Sequence, residues 1–190
     1  MIVEIRNAVK SMLKRELSFY TNRAKVESFM SNKSVLAVDT GRKVQFFLVS
    51  KALEKTFNEI PFSQGLFYAG IFAGEVEKNI FAPSLAVLDF LSKNTDKKFV
   101  KLDYKRSVLF SCGRDIPSAG IVSASKDLRK NDIIIVLNEN NEGIGYGRVL
   151  EQGIVLQELK AKPVIKNLYD IGDFIRREQG LKRAVNKENE

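Results

Sequence analysis

With 190 residues, 44% of them hydrophobic, the chain is long enough for one large domain or two small ones, each able to bury a core. Histidine is absent, which removes every Ser–His and Cys–His catalytic arrangement; a single cysteine, Cys112, excludes an internal disulfide and argues against a zinc site. A formal net charge of +8 favours an anionic partner, and for a cytosolic chain the commonest is nucleic acid.

The first residues, MIVEIRNAVK, are interrupted by Glu4 and Arg6 and are not expected to form a secretory signal. No apolar run approaches the roughly 20 residues of a membrane helix, so no membrane partner is expected. Ile5, Ala8, Val9, Met12, Leu13 and Leu17 recur at helical spacing, which predicts an amphipathic helix. Arg6, Lys10, Lys14 and Arg15 fall on its other faces, and a solvated basic surface is expected there.

SVLAVD (34–39) and KVQFFLV (43–49) predict two strands joined by the turn Thr40–Gly41–Arg42. VLAVDTG also looks like a strand running into a nucleotide-binding loop. Such a loop usually leads into a helix whose N-terminus holds the phosphate, whereas here another strand follows. We therefore read a hairpin. Ser50 is placed as the cap of a helix carrying Ala52, Leu53 and Phe57, with Pro61 beyond its end. GLFYAGIFAGEV (65–76) predicts a strand with a bulge or bend, with Glu75 and Glu77 as exposed carboxylates at its end. Pro83 or Ser84 begins a helix with Leu85, Leu88 and Leu91 facing inward. The polar segment SKNTDKK (92–98) marks a boundary, giving domains over 1–95 and 96–185 and a polar tail over 186–190.

In the second half, Phe99 to Leu102 predicts a strand and Lys105 to Phe110 a short helix ended by Gly113. Cys112 lies in the apolar run VLFSC and is expected to be a buried, inert thiol. After a strand near 120–122 comes DIIIVLNENNEGIGYGRV (132–149), a hairpin. Its first strand is an unbroken apolar run suited to burial on both faces. In its second strand Gly145 and Gly147 share one face, which permits close approach of another backbone. Further strands are expected near Gly153 to Leu159 and Pro163 to Leu168. Asp170 then caps a last helix with Ile171, Phe174 and Ile175 inward, Asp173 in the first turn, and Gly180 at its end. Short strands, glycine turns and two small helices predict a compact barrel, and the fold class as a whole is α+β.

The series VLFSCGRDI, SAGIV and LRKNDIIIVLNENNEGIGYGRVL resembles a PUA domain, an RNA-binding pseudo-β-barrel. The segment VIKNLYDIGDFIRRE, with its motif Asp170–Ile171–Gly172–Asp173–Phe174–Ile175–Arg176, is similar to the Nip-seven family of large-ribosomal-subunit biogenesis factors. Upstream, SQGLFYAGIFAGEV, FAPSLAVLDFL and YKRSVLFSCG match the same family in order and spacing. The resemblance implies an N-terminal α/β domain with an antiparallel sheet, joined to a C-terminal PUA pseudo-β-barrel. It implies a non-catalytic, monomeric factor without cofactor that binds single-stranded or U/A-rich precursor rRNA, in the cytoplasm or, in a eukaryote, the nucleolus.

Two basic clusters supply the candidate RNA contacts. The segment from Lys160 to Lys187 provides Lys160, Lys162, Lys166, Arg176, Arg177, Lys182 and Arg183, and the run after the boundary provides Lys101, Lys105 and Arg106. In archaeal members of the family the strand before the last helix carries basic residues that contact RNA, and Lys162 and Lys166 stand at matching positions. Pro163 and Tyr169 depart from that pattern; Tyr169 offers instead a ring on which a base can stack. Arg177, four residues after Asp173, has the spacing for a local ion pair, which leaves Arg176 as the better RNA contact. Two other functions stand beside this one. An RNA-modifying enzyme would need a catalytic domain, and the N-terminal half shows no glycine-rich cofactor loop or metal cluster. An adaptor would dock its N-terminal domain on the exosome or another assembly factor.

Overall fold

The computed structural model describes residues 2–4, 7–54, 70–78, 80–151 and 162–178. It divides the chain into two compact units, Met1–Asp96 and Lys97–Glu190.

The first unit is built on a five-stranded antiparallel sheet with its strands side by side in chain order. They are β1 (Ile2–Glu4), β2 (Lys33–Asp39), β3 (Lys43–Ser50), β4 (Ile71–Glu77) and β5 (Ile80–Pro83). Helices α1 (Asn7–Ser18) and α2 (Arg23–Met30) precede β2, and α3 (Leu85–Asn94) follows β5. β2 and β3 form the expected hairpin: Ala37 faces Phe46, and the Thr40 amide donates to the Lys43 carbonyl at 3.0 Å. Gly41 takes the left-handed φ of +80° that this reversal needs. In β4, Gly74 at φ +139° sits where the pairing with β3 shifts between Phe46 and Phe47, the bulge that its glycines predict. The core gathers Leu13, Leu17, Val26, Met30, Leu36, Phe46, Leu88 and Leu91.

Four details differ from expectation. The basic face of α1 is partly engaged: Lys10 donates to the Lys33 carbonyl at 2.7 Å and Lys14 lies 3.4 Å from Glu27, whereas Arg15 is solvated as expected, 3.0 Å from its neighbour Glu16. Burial lowers the pKa of Lys10. Glu75 accepts from Lys43 Nζ at 2.6 Å and from Gln45 Nε2 at 3.2 Å, so it is tied into the sheet, while Glu77 is exposed. In α3, capped by Ser84 through the Val87 amide at 3.3 Å, the buried stripe is Val87, Leu88 and Leu91; Leu85 lies off it and is 38% exposed. Finally, β1 and α2 are additional elements, α2 being announced only by its cap, where Asn22 Oδ1 accepts from the Lys25 amide at 2.9 Å.

The second unit contains β6 (Phe99–Leu102), α4 (Tyr104–Ser111), β7 (Ile116–Pro117), β8 (Ile121–Ala124), β9 (Ile133–Leu137), β10 (Gly143–Val149), β11 (Pro163–Asp170) and α5 (Ile171–Glu178). Its six strands form one sheet in the order β7-β11-β10-β9-β6-β8, antiparallel except where β6 runs parallel to β9. β7 and β8 occupy opposite edges of that sheet, yet only the turn Ser118–Gly120 separates them along the chain. The sheet therefore has to curl into a nearly closed barrel. Val100, Leu102, Phe110, Ile116, Ile134, Val136, Val149 and Ile165 fill it. β9 is buried on both faces, as its apolar run predicts: Ile134, Ile135 and Val136 are all at 0% exposure. Ser50 caps the expected helix, its Oγ accepting from the Leu53 amide at 3.3 Å, and residues 51–54 are helical; the part of that helix around Phe57, the segment 65–69 and the strand expected near Gly153 to Leu159 lie outside the described residues. Cys112 is exposed, not buried, because it closes the outer end of α4. Ile171, expected to face inward, is 40% exposed at the start of α5.

Candidate nucleic-acid interface

The motif from Asp170 to Arg176 is a clamp between the two helices of the barrel. Asp170 ends β11 at 2% exposure, and Arg176, one turn into α5, reaches back to it. Arg176 Nη2 donates to both carboxylate oxygens, at 3.0 and 2.8 Å, while Nη1 donates to the Ser111 carbonyl at 2.7 Å. Asp173 Oδ1 lies 4.0 Å from the same guanidinium. The hydrogen bond with Asp170 raises the Arg176 pKa above its already high ordinary value, so the group stays charged. Gly172 makes the approach possible, since a Cβ there would stand 2.1 Å from the Ser111 carbonyl oxygen. Asn167 Nδ2 donates to the neighbouring Phe110 carbonyl at 2.7 Å. Among the last carbonyls of α4, that of Phe110 thus accepts from Asn167 as well as from the Gly113 amide, and that of Ser111 from Arg176. Arg176, which the sequence leaves to RNA, therefore holds an internal ion pair, while 28% of its side chain still meets solvent. The side chain of Arg177, and all of Lys160, Lys182 and Arg183, lie outside the described residues.

The cluster after the domain boundary also disperses. Arg106 pairs with Asp103 at 3.2 Å and lays its stem over Gly120, where a Cβ would meet Arg106 Cγ at 2.1 Å. Lys101 Nζ donates to Asn141 Oδ1 at 2.9 Å, tying β6 to the β9–β10 turn. Lys98 is paired with Asp132. Lys105 is exposed on α4, with no ion pair among the described residues.

What the structure does bring together lies on the outer face of β10 and β11. Gly145 and Gly147 face the barrel interior, so Tyr146 and Arg148, the residues alternating with them, face out. Across the ladder Tyr146 pairs with Tyr169 and Arg148 with Lys166. Lys166 and Tyr169 are three residues apart, a separation that would put them on opposite faces of a regular strand. One step on β10 matches two on β11 at this point, so Leu168 is an extra, bulged residue that brings both side chains to the same face. The tyrosine rings stack with centroids 5.3 Å apart and planes 18° apart. Arg148 is half-buried and Lys166 exposed, and neither makes an ion pair among the described residues. Lys162, 76% exposed just before β11, lies 3.2 Å from Glu151. The sequence reading included Lys166 and Tyr169 but passed over Tyr146 and Arg148. The signal was there, because a glycine face on one side of a strand defines the residues on the other. Flat rings beside unneutralised cations suit a ligand with bases and phosphates.

A family model, the UPF0113 PUA domain, matches residues 98–179. A UPF0113 protein from Archaeoglobus fulgidus is 30% identical over 169 residues, an alignment covering 88% of this chain and 90% of that protein. The chain belongs to the UPF0113 family. An uncharacterized protein from Methanocaldococcus jannaschii is 32% identical over 94 residues, covering 49% of this chain and 57% of that protein. Among solved structures, a hypothetical protein from Pyrococcus horikoshii superposes with a TM-score of 0.65 at 17% identity, covering 93% of this chain and 98% of that one. A conserved PUA domain protein from Thermoplasma acidophilum gives 0.64 at 14% identity, covering 93% and 99%. At such identities the likeness is one of fold: this UPF0113 chain has an antiparallel α/β unit followed by a PUA barrel. A PUA domain in turn points to RNA as the ligand.

Proposed function

We propose that this UPF0113 protein is a non-catalytic, cytoplasmic RNA-binding factor that acts on precursor rRNA during assembly of the large ribosomal subunit. The observation that carries the reading is the outer face of β10 and β11, where Arg148 and Lys166 lie opposite one another on a PUA barrel. Such a pair suits a phosphate backbone, which supplies most of the affinity of RNA-binding proteins. The ribosomal assignment rests on the similarity of the C-terminal motif to the Nip-seven family. In this reading the first unit is the module that docks on the exosome or another assembly factor. Crosslinking in cells, followed by sequencing of the bound RNA, tests it: reads should concentrate in large-subunit rRNA precursors, and a tRNA- or mRNA-dominated profile would overturn the ribosomal assignment.

A salt titration checks the site. Each phosphate neutralised on single-stranded RNA contributes about 0.7 to the slope of log K against log salt. Lys162→Ala combined with Lys166→Ala should flatten that slope by roughly 0.7 to 1.4, the lower value applying if Lys162 remains with Glu151. Lys10→Ala with Lys14→Ala should leave the slope unchanged, because both lysines are engaged within the first unit. The reverse result would move the RNA site to α1.

A further inference from the structure

We infer that the outward face of α4 is a docking surface for an acidic amphipathic helix of a protein partner. The exposed residues of α4 are Tyr104, Lys105, Val108 and Leu109, which at roughly 100° per residue fall within an arc of about 140°. Tyr104 and Val108 are one turn apart, as are Lys105 and Leu109, so the four side chains adjoin. Tyr104, Val108 and Leu109 are 70%, 46% and 42% exposed, where the solvent face of a helix is ordinarily polar. The core does not account for them, because the opposite face already supplies Ser107 and Phe110 to the interior. Beside the end of α4, Ile171 adds another exposed apolar side chain, since its neighbour Gly172 lies against the Ser111 carbonyl. Contiguous exposed apolar surface of this kind marks an interaction site, whereas single scattered residues do not.

The charges choose the occupant. Lys105 lies within the arc and Arg114 just past its end; both are exposed, and neither makes an ion pair among the described residues. The helix itself holds no carboxylate, and Asp103 at its cap is taken by Arg106. A segment lying on this face meets apolar side chains flanked by two unneutralised cations. Its complement is an apolar stripe edged with Asp or Glu. RNA is the poorer match, because Val108 and Leu109 present aliphatic surface rather than rings on which bases stack. A second copy is disfavoured too, since in a two-fold pair this positive face would meet itself.

The experiment offers the full chain a display library of helices about 16 residues long, with an apolar stripe at i, i+3, i+4 and i+7 and Glu, Lys or Gln elsewhere. The selected helices should be enriched in Glu along the edges of the stripe. Val108→Ser with Leu109→Ser should weaken the best of them by about 30-fold or more, the loss that marks an interface hot spot. Both side chains are exposed, so this variant should melt close to wild type and bind RNA as wild type does. Lys105→Glu with Arg114→Glu should turn the selection toward Lys. Cys112, one turn beyond Val108 and the only cysteine of the chain, reports occupancy: the bound helix should slow its alkylation by a maleimide. Enrichment of Lys by wild type, or selection of nothing that distinguishes wild type from the serine variant, would overturn the proposal. Protection of Cys112 by a uridine RNA would give the face to RNA, and protection that grows with protein concentration alone would give it to a second copy; either result also overturns it.

Discussion

Arg176→Ala should lower the melting temperature of the C-terminal unit by roughly 10–20 °C without removing a contact to RNA. The substitution leaves the carboxylate of Asp170, at 2% exposure, without the guanidinium that neutralises it. It also takes the Nη1 donor from the Ser111 carbonyl at the end of α4. Deleting one partner of a buried pair costs about 3–5 kcal/mol, and because 28% of the Arg176 side chain meets solvent, the cost here should lie near the lower end, about 3 kcal/mol. Arg176→Lys should fall between the two, since an ammonium keeps the charge but cannot bridge Asp170 and Ser111 as a planar fork does. Calorimetry on the full chain decides the first point. The second is decided by RNA affinity at a temperature where the variant remains folded. A normal melting temperature with weakened RNA binding would return Arg176 to the interface.

That arginine also shows where sequence reading reaches its limit. Counting along the helix pairs Asp173 with Arg177, whose side chain lies outside the described residues, and so gives Arg176 no partner. The stronger partner, Asp170, is six residues before Arg176 and ends the preceding strand, so helical periodicity cannot find it. Cys112 fails for a related reason: it shares an apolar run with Phe110, but a helix turns, and two residues suffice to pass from the core to the surface. The hairpin of β2 and β3 was legible because its two apolar, β-branched runs and the turn at Gly41 point the same way. β9 was legible as a strand buried on both faces because its apolar run has no polar interruption. The outer face of β10 and β11 was half legible. The glycine alternation in β10 fixes which way Tyr146 and Arg148 point, whereas the bulge at Leu168, which aligns Lys166 and Tyr169 with them, leaves no mark in composition or spacing.

Gly145→Ala should cost about 3 kcal/mol or more, well above Gly147→Ala at about 1–2 kcal/mol, although the two glycines look equivalent in the sequence. At Gly145 the backbone has a φ of +155°, which side-chain-bearing residues rarely adopt. A Cβ there would also stand 2.1 Å from the Tyr169 carbonyl oxygen and 2.8 Å from Phe110 Cε1. The first obstacle is main chain of the paired strand, and the second is a ring fully buried in the barrel, so neither can yield without parting β10 from β11 or displacing α4. At Gly147 the nearest atom is Ile165 Cγ2 at 2.6 Å, the end of a side chain that can turn, with the Lys166 carbonyl next at 2.9 Å. Gly147→Val adds a second branch to that crowding and should approach the cost at Gly145. Urea unfolding of the full chain orders the three variants. Equal stability of Gly145→Ala and wild type would show that the strands separate freely here. Gly147→Val that keeps its stability yet loses RNA would mean that this face of β10, not the tyrosine face, meets the ligand.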